Sequence, residues 1–368
     1  MVKPVKPEDQ PYLDRAMQLA LNGRGQVSPN PVVGAVVVKD GQVIGEGWHR
    51  EYGGPHAERV AIDDAESRGN DVTGSTVYVS LEPCGHHGRQ PPCAELLRDR
   101  SVAEVVVGCD DPSEKTAGVG PRLLGDAGIE VRFASGEQAA RARGLVQDFR
   151  KFSATGRPLV TLKMATSLDG RVAGPGGEPI HLSSPDTDLL VHRWRAASDG
   201  VAVGAGTVRS DDPRLTARGE GVSRQPSRIL FGGADSIGPG SALLEDLGAA
   251  PVLLITGPGV PDASSAEMSR LGVEVIEVEG RDGPARFGAA LDALGERGIR
   301  SILLEGGPRL AGSALEADCV DLIEVFVAPR LLGGGPPMVE LDRAIDLPEI
   351  SVSRSGADVR LSAVLREW

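Results

Sequence analysis

Short apolar runs rich in β-branched residues recur along this chain, each closed by glycine, proline or aspartate. In the first half they are VVGAVVV at 32–38, STVYVSLEP at 75–83 and VAEVVVGCD at 102–110. In the second they are PLVTLKMA at 158–165, GVAVGAG at 200–206, SRILF at 227–231, APVLLIT at 250–256, VEVIEV at 273–278 and SILLE at 301–305. Runs this short read as buried strands, and stretches with helical spacing lie between them. The spacing predicts helices over 12–22, 55–69, 91–100, 184–198 and 284–297, and another from Pro308. Alternating strands and helices give an α/β chain, its sheets covered by helices. Only 3% of residues are aromatic, so the cores must rest on Val, Leu, Ile and Ala. Asp40-Gly41 marks a hairpin turn after the first run.

The length of 368 residues exceeds one ordinary domain. Around 134–157 the pattern becomes polar and helical and then stops at Gly156 and Pro158, which divides the chain into domains 1–150 and 151–368. Lys and Arg total 39 against 52 Asp and Glu, a net charge of −13, which leaves no basic face for nucleic acid. No h-region opens the chain, and no apolar run reaches the ~18 residues of a membrane helix, so neither secretion nor membrane insertion is expected. Four scattered cysteines make no disulfide framework, and a cytoplasmic location is the expectation.

Two of those cysteines lie in LEPCGHHGRQPPC at 81–93, downstream of His56-Ala57-Glu58. The pattern H-x-E…P-C-x-x-C marks zinc nucleobase deaminases, in which the glutamate shuttles protons and is not a ligand. Here eight residues, not two, separate Cys84 from Cys93. His56 and Cys93 each open an expected helix, where thiolate is favoured, and Cys84 follows a strand. Three protein ligands leave a fourth position for water, with Glu58 close by as base. A Cys84–Cys93 disulfide, or a structural zinc site completed by His86, are the bland alternatives. Cys109 and Cys319 read as core residues.

In the second half, EGGPRLAGS and VGAGTVRSDDPRLTAR each run from a strand into a glycine turn, without a dinucleotide fingerprint. Lys163 interrupts an apolar strand, and Arg195, Asp211, Arg218 and Glu305 fall near element ends. Surface ion pairs are the ordinary reading of such charges; beside glycine turns they also suit a phosphorylated ligand. His181 and His192 carry no spacing signal and read as structural or solvent-facing.

Together these segments resemble the bacterial bifunctional riboflavin-biosynthesis deaminase–reductase family over nearly the whole chain. PNPVVGAVVV, GEGWHREYGGPHAE, LEPCGHHGRQPPC and DDPSEKTAGVG are similar to its deaminase half. RPLVTLKMATSLDGRVA, AVGAGTVRSDDPRLTAR and LLEGGPRLAGS are similar to its reductase half. The long cysteine spacing is the family's own. The resemblance implies a cytidine-deaminase-like three-layer αβα domain followed by a dihydrofolate-reductase-like α/β domain. It implies zinc-dependent deamination of 2,5-diamino-6-ribosylamino-4(3H)-pyrimidinone 5′-phosphate, then NADPH-dependent reduction of ribosyl to ribityl.

By that resemblance His56, Cys84 and Cys93 hold Zn2+ and Glu58 is the general acid/base. Asn30, His49, His86 and Arg89 contact the deaminase substrate. Ser183, Arg195, Leu215, Arg218 and Glu305 contact the reductase substrate, with Lys163 and Asp211 catalytic. Ala165, His181, Thr207 and the turn Gly307, Pro308, Arg309, Leu310, Ala311, Gly312 and Ser313 meet NADPH. His181 stands where the family has a tryptophan, and Gln90 where a small hydroxyl residue is usual. The implied partner is a small phosphorylated aminopyrimidine, with no nucleic acid or membrane, and the implied state is a homo-oligomer. Rival readings are an enzyme with a decayed reductase half and a non-catalytic zinc protein sensing a phosphorylated ligand.

Overall fold

Most of the apolar runs become strands, and they join two separate sheets. The computed structural model describes residues 3–113, 116–220, 222, 224–347 and 349–368. Contacts divide the chain into one unit of Met1–Thr155 with Trp368 and a second of Gly156–Glu367. The division falls five residues beyond position 150 because helix α6 (Gln147–Thr155) runs to the glycine that stops it.

The first unit contains β1 (Lys3–Pro4), β2 (Gly34–Lys39), β3 (Gln42–Trp48), β4 (Thr76–Val79), β5 (Glu104–Val107) and β6 (Glu130–Phe133), in the order β1-β6-β5-β4-β2-β3. β4, β5 and β6 pair in parallel, and β2 runs antiparallel to β3 and β4. Asp40 and Gly41 both take positive φ, 52° and 75°, as the tight β2–β3 turn requires.

Strand period 2 sends alternate residues to opposite faces. Val36, Tyr78 and Val106 pack with Leu13 and Met17 of α1 (Gln10–Ala20) and Ala142 of α5 (Gly136–Leu145). Val37, Val77 and Val105 pack with Ile62 of α2 (Ala57–Ser67), Leu97 of α3 (Cys93–Asp99) and Leu124 of α4 (Val119–Asp126). This is the expected αβα layering.

Among the described residues the second unit has nine strands: β7 (Leu159–Ser167), β8 (Gly200–Gly204), β9 (Ser227–Phe231), β10 (Val252–Thr256), β11 (Val273–Glu277), β12 (Ser301–Leu304), β13 (Leu322–Ala328), β14 (Ile350–Ser355) and β15 (Asp358–Val364). Their order is β11-β10-β9-β8-β12-β7-β13-β15-β14, parallel from β11 to β13 and antiparallel over the last two steps. α10 (Gly283–Glu296) and α11 (Pro308–Glu316) cover the face of Val160, Leu162 and Leu304. Val208 of α8 (Ala205–Asp211) and Met268 of α9 (Asp262–Arg270) cover the face of Val201, Leu230 and Leu303. α7 (Pro185–Ala197) precedes β8. Among the described residues no helix is long and apolar enough to cross a membrane.

One close approach positions the first unit's chemistry. A Cβ on Gly47 of β3 would lie 2.4 Å from the Ala61 nitrogen and 2.7 Å from the Ala57 carbonyl oxygen of α2. Without that glycine the helix cannot lie against the strand, and its first residues carry His56 and Glu58. Gly47→Ala is expected to destabilise the first unit by about 1–3 kcal/mol and to lower the zinc content of the purified chain. An unchanged urea midpoint would contradict this.

Candidate functional site

His56 is the extended residue that caps α2, with φ −71° and ψ 162°. Cys93 is the first residue of α3, behind Pro92, and Cys84 lies between β4 and α3. Their donor atoms all lie within 4.8 Å of one another. His56 Nδ1 stands 3.5 Å from Cys84 Sγ and 3.3 Å from Cys93 Sγ, and the Cys93 backbone N–H donates to Cys84 Sγ at 3.3 Å. All four cysteines are free, so the disulfide alternative is excluded. The cluster is these three residues without His86, which is exposed. One imidazole and two thiols converging from separate elements suit zinc and leave a tetrahedral position unfilled by protein. Hydrogen bonds from Cys93 and His56 hold the Cys84 thiol well below its ordinary range, which suits it as a ligand.

Glu58 follows His56 by two residues and is 3% exposed. Burial, with Cys84 adding to it, pushes the carboxyl up to about 7. A carboxyl held there exchanges protons near neutral pH, as a general acid/base must.

His49 is buried, its Nδ1 2.9 Å from the Pro55 carbonyl oxygen and its Nε2 3.0 Å from Asn30 Nδ2. With Nδ1–H donating to the carbonyl, Nε2 accepts from Asn30, so both ring nitrogens are engaged within the protein. His49 thus orients Asn30. Arg89 lies over the Tyr52 ring at 4.6 Å, and Gln90 Nε2 donates to the Gly53 carbonyl at 2.9 Å. These contacts tie the 85–92 loop to residues 52–53, with His86 and Arg89 exposed on it.

Sequence reasoning missed Glu82, a 6%-exposed carboxylate that accepts the Gly118 N–H at 2.6 Å and the Asp111 N–H at 3.4 Å. It clamps the turn bearing Cys84 against backbone far along the chain. Its place in the LEPC stretch was the available signal.

The second unit holds a cavity of about 760 Å³, within the usual range for small-molecule sites. Of the expected residues, Lys163, Ala165, Arg195, Thr207, Asp211, Leu215, Glu305, Gly307, Pro308, Arg309, Leu310 and Ser313 line it. Lys163 and Ala165 come from β7 and Arg195 from α7; the others lie on the helices and loops that follow β8 and β12, beyond the carboxyl ends of those strands, where open α/β sheets place ligands. Arg195 forks onto Glu305, with Nε–Oε1 at 2.6 Å and Nη2–Oε2 at 2.9 Å. Burial would raise the Glu305 carboxyl, but Arg195 more than offsets this and holds it below its ordinary value. Burial pulls the Lys163 ammonium down, against the opposing charge of Glu305.

Five expected residues lie outside that lining. Ala311 is fully buried in the core on the sheet side of α11, and Gly312 abuts the Glu340 carbonyl of the loop after β13. His181 is exposed and pairs with Asp188 at 2.9 Å. Ser183 precedes Ser184, the α7 cap whose N–H donates to Asp358 at 2.8 Å. Arg218 donates to Thr216 Oγ1 at 3.2 Å.

Residues 6–109 match the family model of the cytidine and deoxycytidylate deaminase zinc-binding region, and residues 158–361 match that of the RibD C-terminal domain. The first unit is thus a zinc-binding deaminase domain, and the second is a reductase domain of the kind that uses a nicotinamide cofactor. The riboflavin biosynthesis protein RibD of Bacillus amyloliquefaciens is 36% identical, over 97% of this chain and 96% of its own. Among solved structures, Acinetobacter baumannii RibD superposes with a TM-score of 0.83 at 35% identity, covering 97% of this chain and 98% of that one. The Thermotoga maritima diaminohydroxyphosphoribosylaminopyrimidine deaminase/5-amino-6-(5-phosphoribosylamino)uracil reductase superposes at 0.82 with 32% identity, covering 98% and 99%. The chain belongs to the RibD family of bifunctional deaminase–reductases in riboflavin biosynthesis.

Cys93→Ser is expected to strip most of the zinc from the full chain, whereas Cys109→Ser, in the core, keeps it. Metal analysis of both purified variants checks this, and equal zinc contents would refute the three-residue ligand set.

Proposed function

We propose that this chain deaminates 2,5-diamino-6-ribosylamino-4(3H)-pyrimidinone 5′-phosphate and then reduces the product with NADPH to 5-amino-6-ribitylaminouracil 5′-phosphate. The observation that carries the reading is the convergence of His56, Cys84 and Cys93 beside the buried carboxyl of Glu58. A zinc ion held there would act as a Lewis acid on water and so make it a nucleophile near neutral pH. Glu58 takes the proton from the attacking water and returns it to the amine, which leaves as ammonia. Asn30, oriented by His49, and Arg89 on the bridging loop hold the ring and its ribosyl phosphate.

For the second step Ala165, Thr207 and the turn from Gly307 would hold NADPH. There α11 begins with Pro308, so its free backbone N–H groups suit the pyrophosphate. The cofactor supplies the reducing equivalent at C1′ of the ribosylamino group. Lys163, kept half-buried in β7, and Asp211 at the end of α8 would protonate the imine-like intermediate as the sugar ring opens. Arg218 and the Arg195–Glu305 pair hold the phosphate end. The reading includes a cytoplasmic location and a homo-oligomeric state; sedimentation of the purified chain checks the latter.

A coupled assay with the diamino substrate tests the whole. Wild type is expected to release ammonia and then oxidise NADPH. Glu58→Gln should keep its zinc, lose about 10²–10⁴-fold in ammonia release, and still oxidise NADPH when given the deaminated compound. Lys163→Met should show the converse. Ammonia release at the wild-type rate from Glu58→Gln would overturn the deaminase assignment.

A further inference from the structure

Around Arg195, which lines the reductase cavity, there are more cationic side chains than free positive charges. Arg195 is forked by Glu305, and Arg214 is held by Glu245 at 2.8 Å. Asp188 is paired with His181. Among the described residues Arg218 has no carboxylate in ion-pair range and meets only a hydroxyl, that of Thr216. A phosphate monoester carries close to two negative charges at neutral pH. One arginine leaves that charge half matched.

His192 lies on α7 one turn before Arg195, so the two share a helix face. Its Nδ1 is buried and has no hydrogen-bond partner, a state that ordinary core histidines avoid. The charged groups facing it come from three elements. They are Asp188 and Arg195 on its own helix, Arg218 on the segment after α8, and Glu305 beyond β12. Burial and the two arginines hold its protonation down in the ligand-free protein.

We propose that His192 is a further substrate-positioning residue of the reductase site, taking up a proton as the phosphate dianion arrives and supplying the second positive charge. The inference rests on the phosphorylated-substrate reading above. The sign follows from the neighbours. Burial and the two arginines outweigh Asp188 and Glu305 and disfavour the imidazolium in the ligand-free protein; a dianion beside it reverses the local field and favours it. Binding therefore draws protons from solution between the free and bound protonation ranges of the ring. Above pH 7 the ester, whose second pKa is about 6, contributes almost none.

Calorimetric titration of the full-length protein with ribose 5-phosphate, at pH 7.5 in two buffers of different ionisation enthalpy, counts those protons. Wild type is expected to take up a substantial fraction of one proton. His192→Gln should take up none and should raise KM for the deaminated substrate about tenfold, the loss of one charge-assisted contact. Its kcat should stay near wild type, and ammonia release in the same preparation reports that the chain is folded. Absence of ribose 5-phosphate binding, binding without proton uptake by wild type, or undiminished uptake by His192→Gln each overturns the proposal. The wild-type measurement decides even if the variant does not fold. Failure of the reductase reading shows differently, as no NADPH oxidation by wild type on the deaminated substrate.

Discussion

The backbone of α2 lies directly on the glycines of β3, and the first unit's chemistry depends on that contact. Gly45 and Gly47 leave no side chain between strand and helix, so the helix start is fixed relative to the sheet to within the thickness of a methyl group. His56 ends the approach to the helix and Glu58 lies in its first turn. His56 and Glu58 therefore take their positions from one rigid element. Glu82 does comparable work on the other side, holding the Cys84 turn against Gly118 through a buried carboxylate. Two carboxylates near one metal cluster thus have separate tasks, set by what each touches.

The second unit solves a different problem, that of keeping charge inside a cavity. Lys163 arises from a strand whose neighbours are apolar, and burial pulls its ammonium down. Glu305 opposes that pull, while the Arg195 fork keeps the glutamate itself ionised. The three groups form one electrostatic unit, so removing any one changes the other two. Outside such a unit, surface pairs such as Arg157 with Asp292 contribute little.

The α/β class and the convergence of His56, Cys84 and Cys93 were legible because their signals are local. Strands buried on both faces write continuous apolar runs, and His56 and Glu58 sit two residues apart. The C-terminal hairpin was not legible. Ile350–Ser355 alternates with serines at a sheet edge and is mostly exposed, so no buried-strand pattern marks it. His49 was expected to touch substrate, but its nitrogens are occupied by Pro55 and Asn30, partners that only the folded loop brings together. Ala311 and Gly312 belonged to a matched stretch, yet helical rotation turns Ala311 toward the core and Gly312 toward the Glu340 carbonyl. His192 read as a bland residue for the same reason: Arg218 and Glu305 reach it from distant segments.

The bridge between Cys84 and Cys93 has one more consequence. Cys84 is held by the Glu82 clamp and by the Cys93 N–H, Cys93 by the start of α3, and Gly85 packs on Val119 and Gly120. The exposed residues from His86 to Arg89 hold neither cysteine; they are tethered through Arg89 to Tyr52 and the neighbouring Gln90 to Gly53. A lineage can rewrite that exposed stretch without passing through an ancestor that has lost the cluster of His56, Cys84 and Cys93.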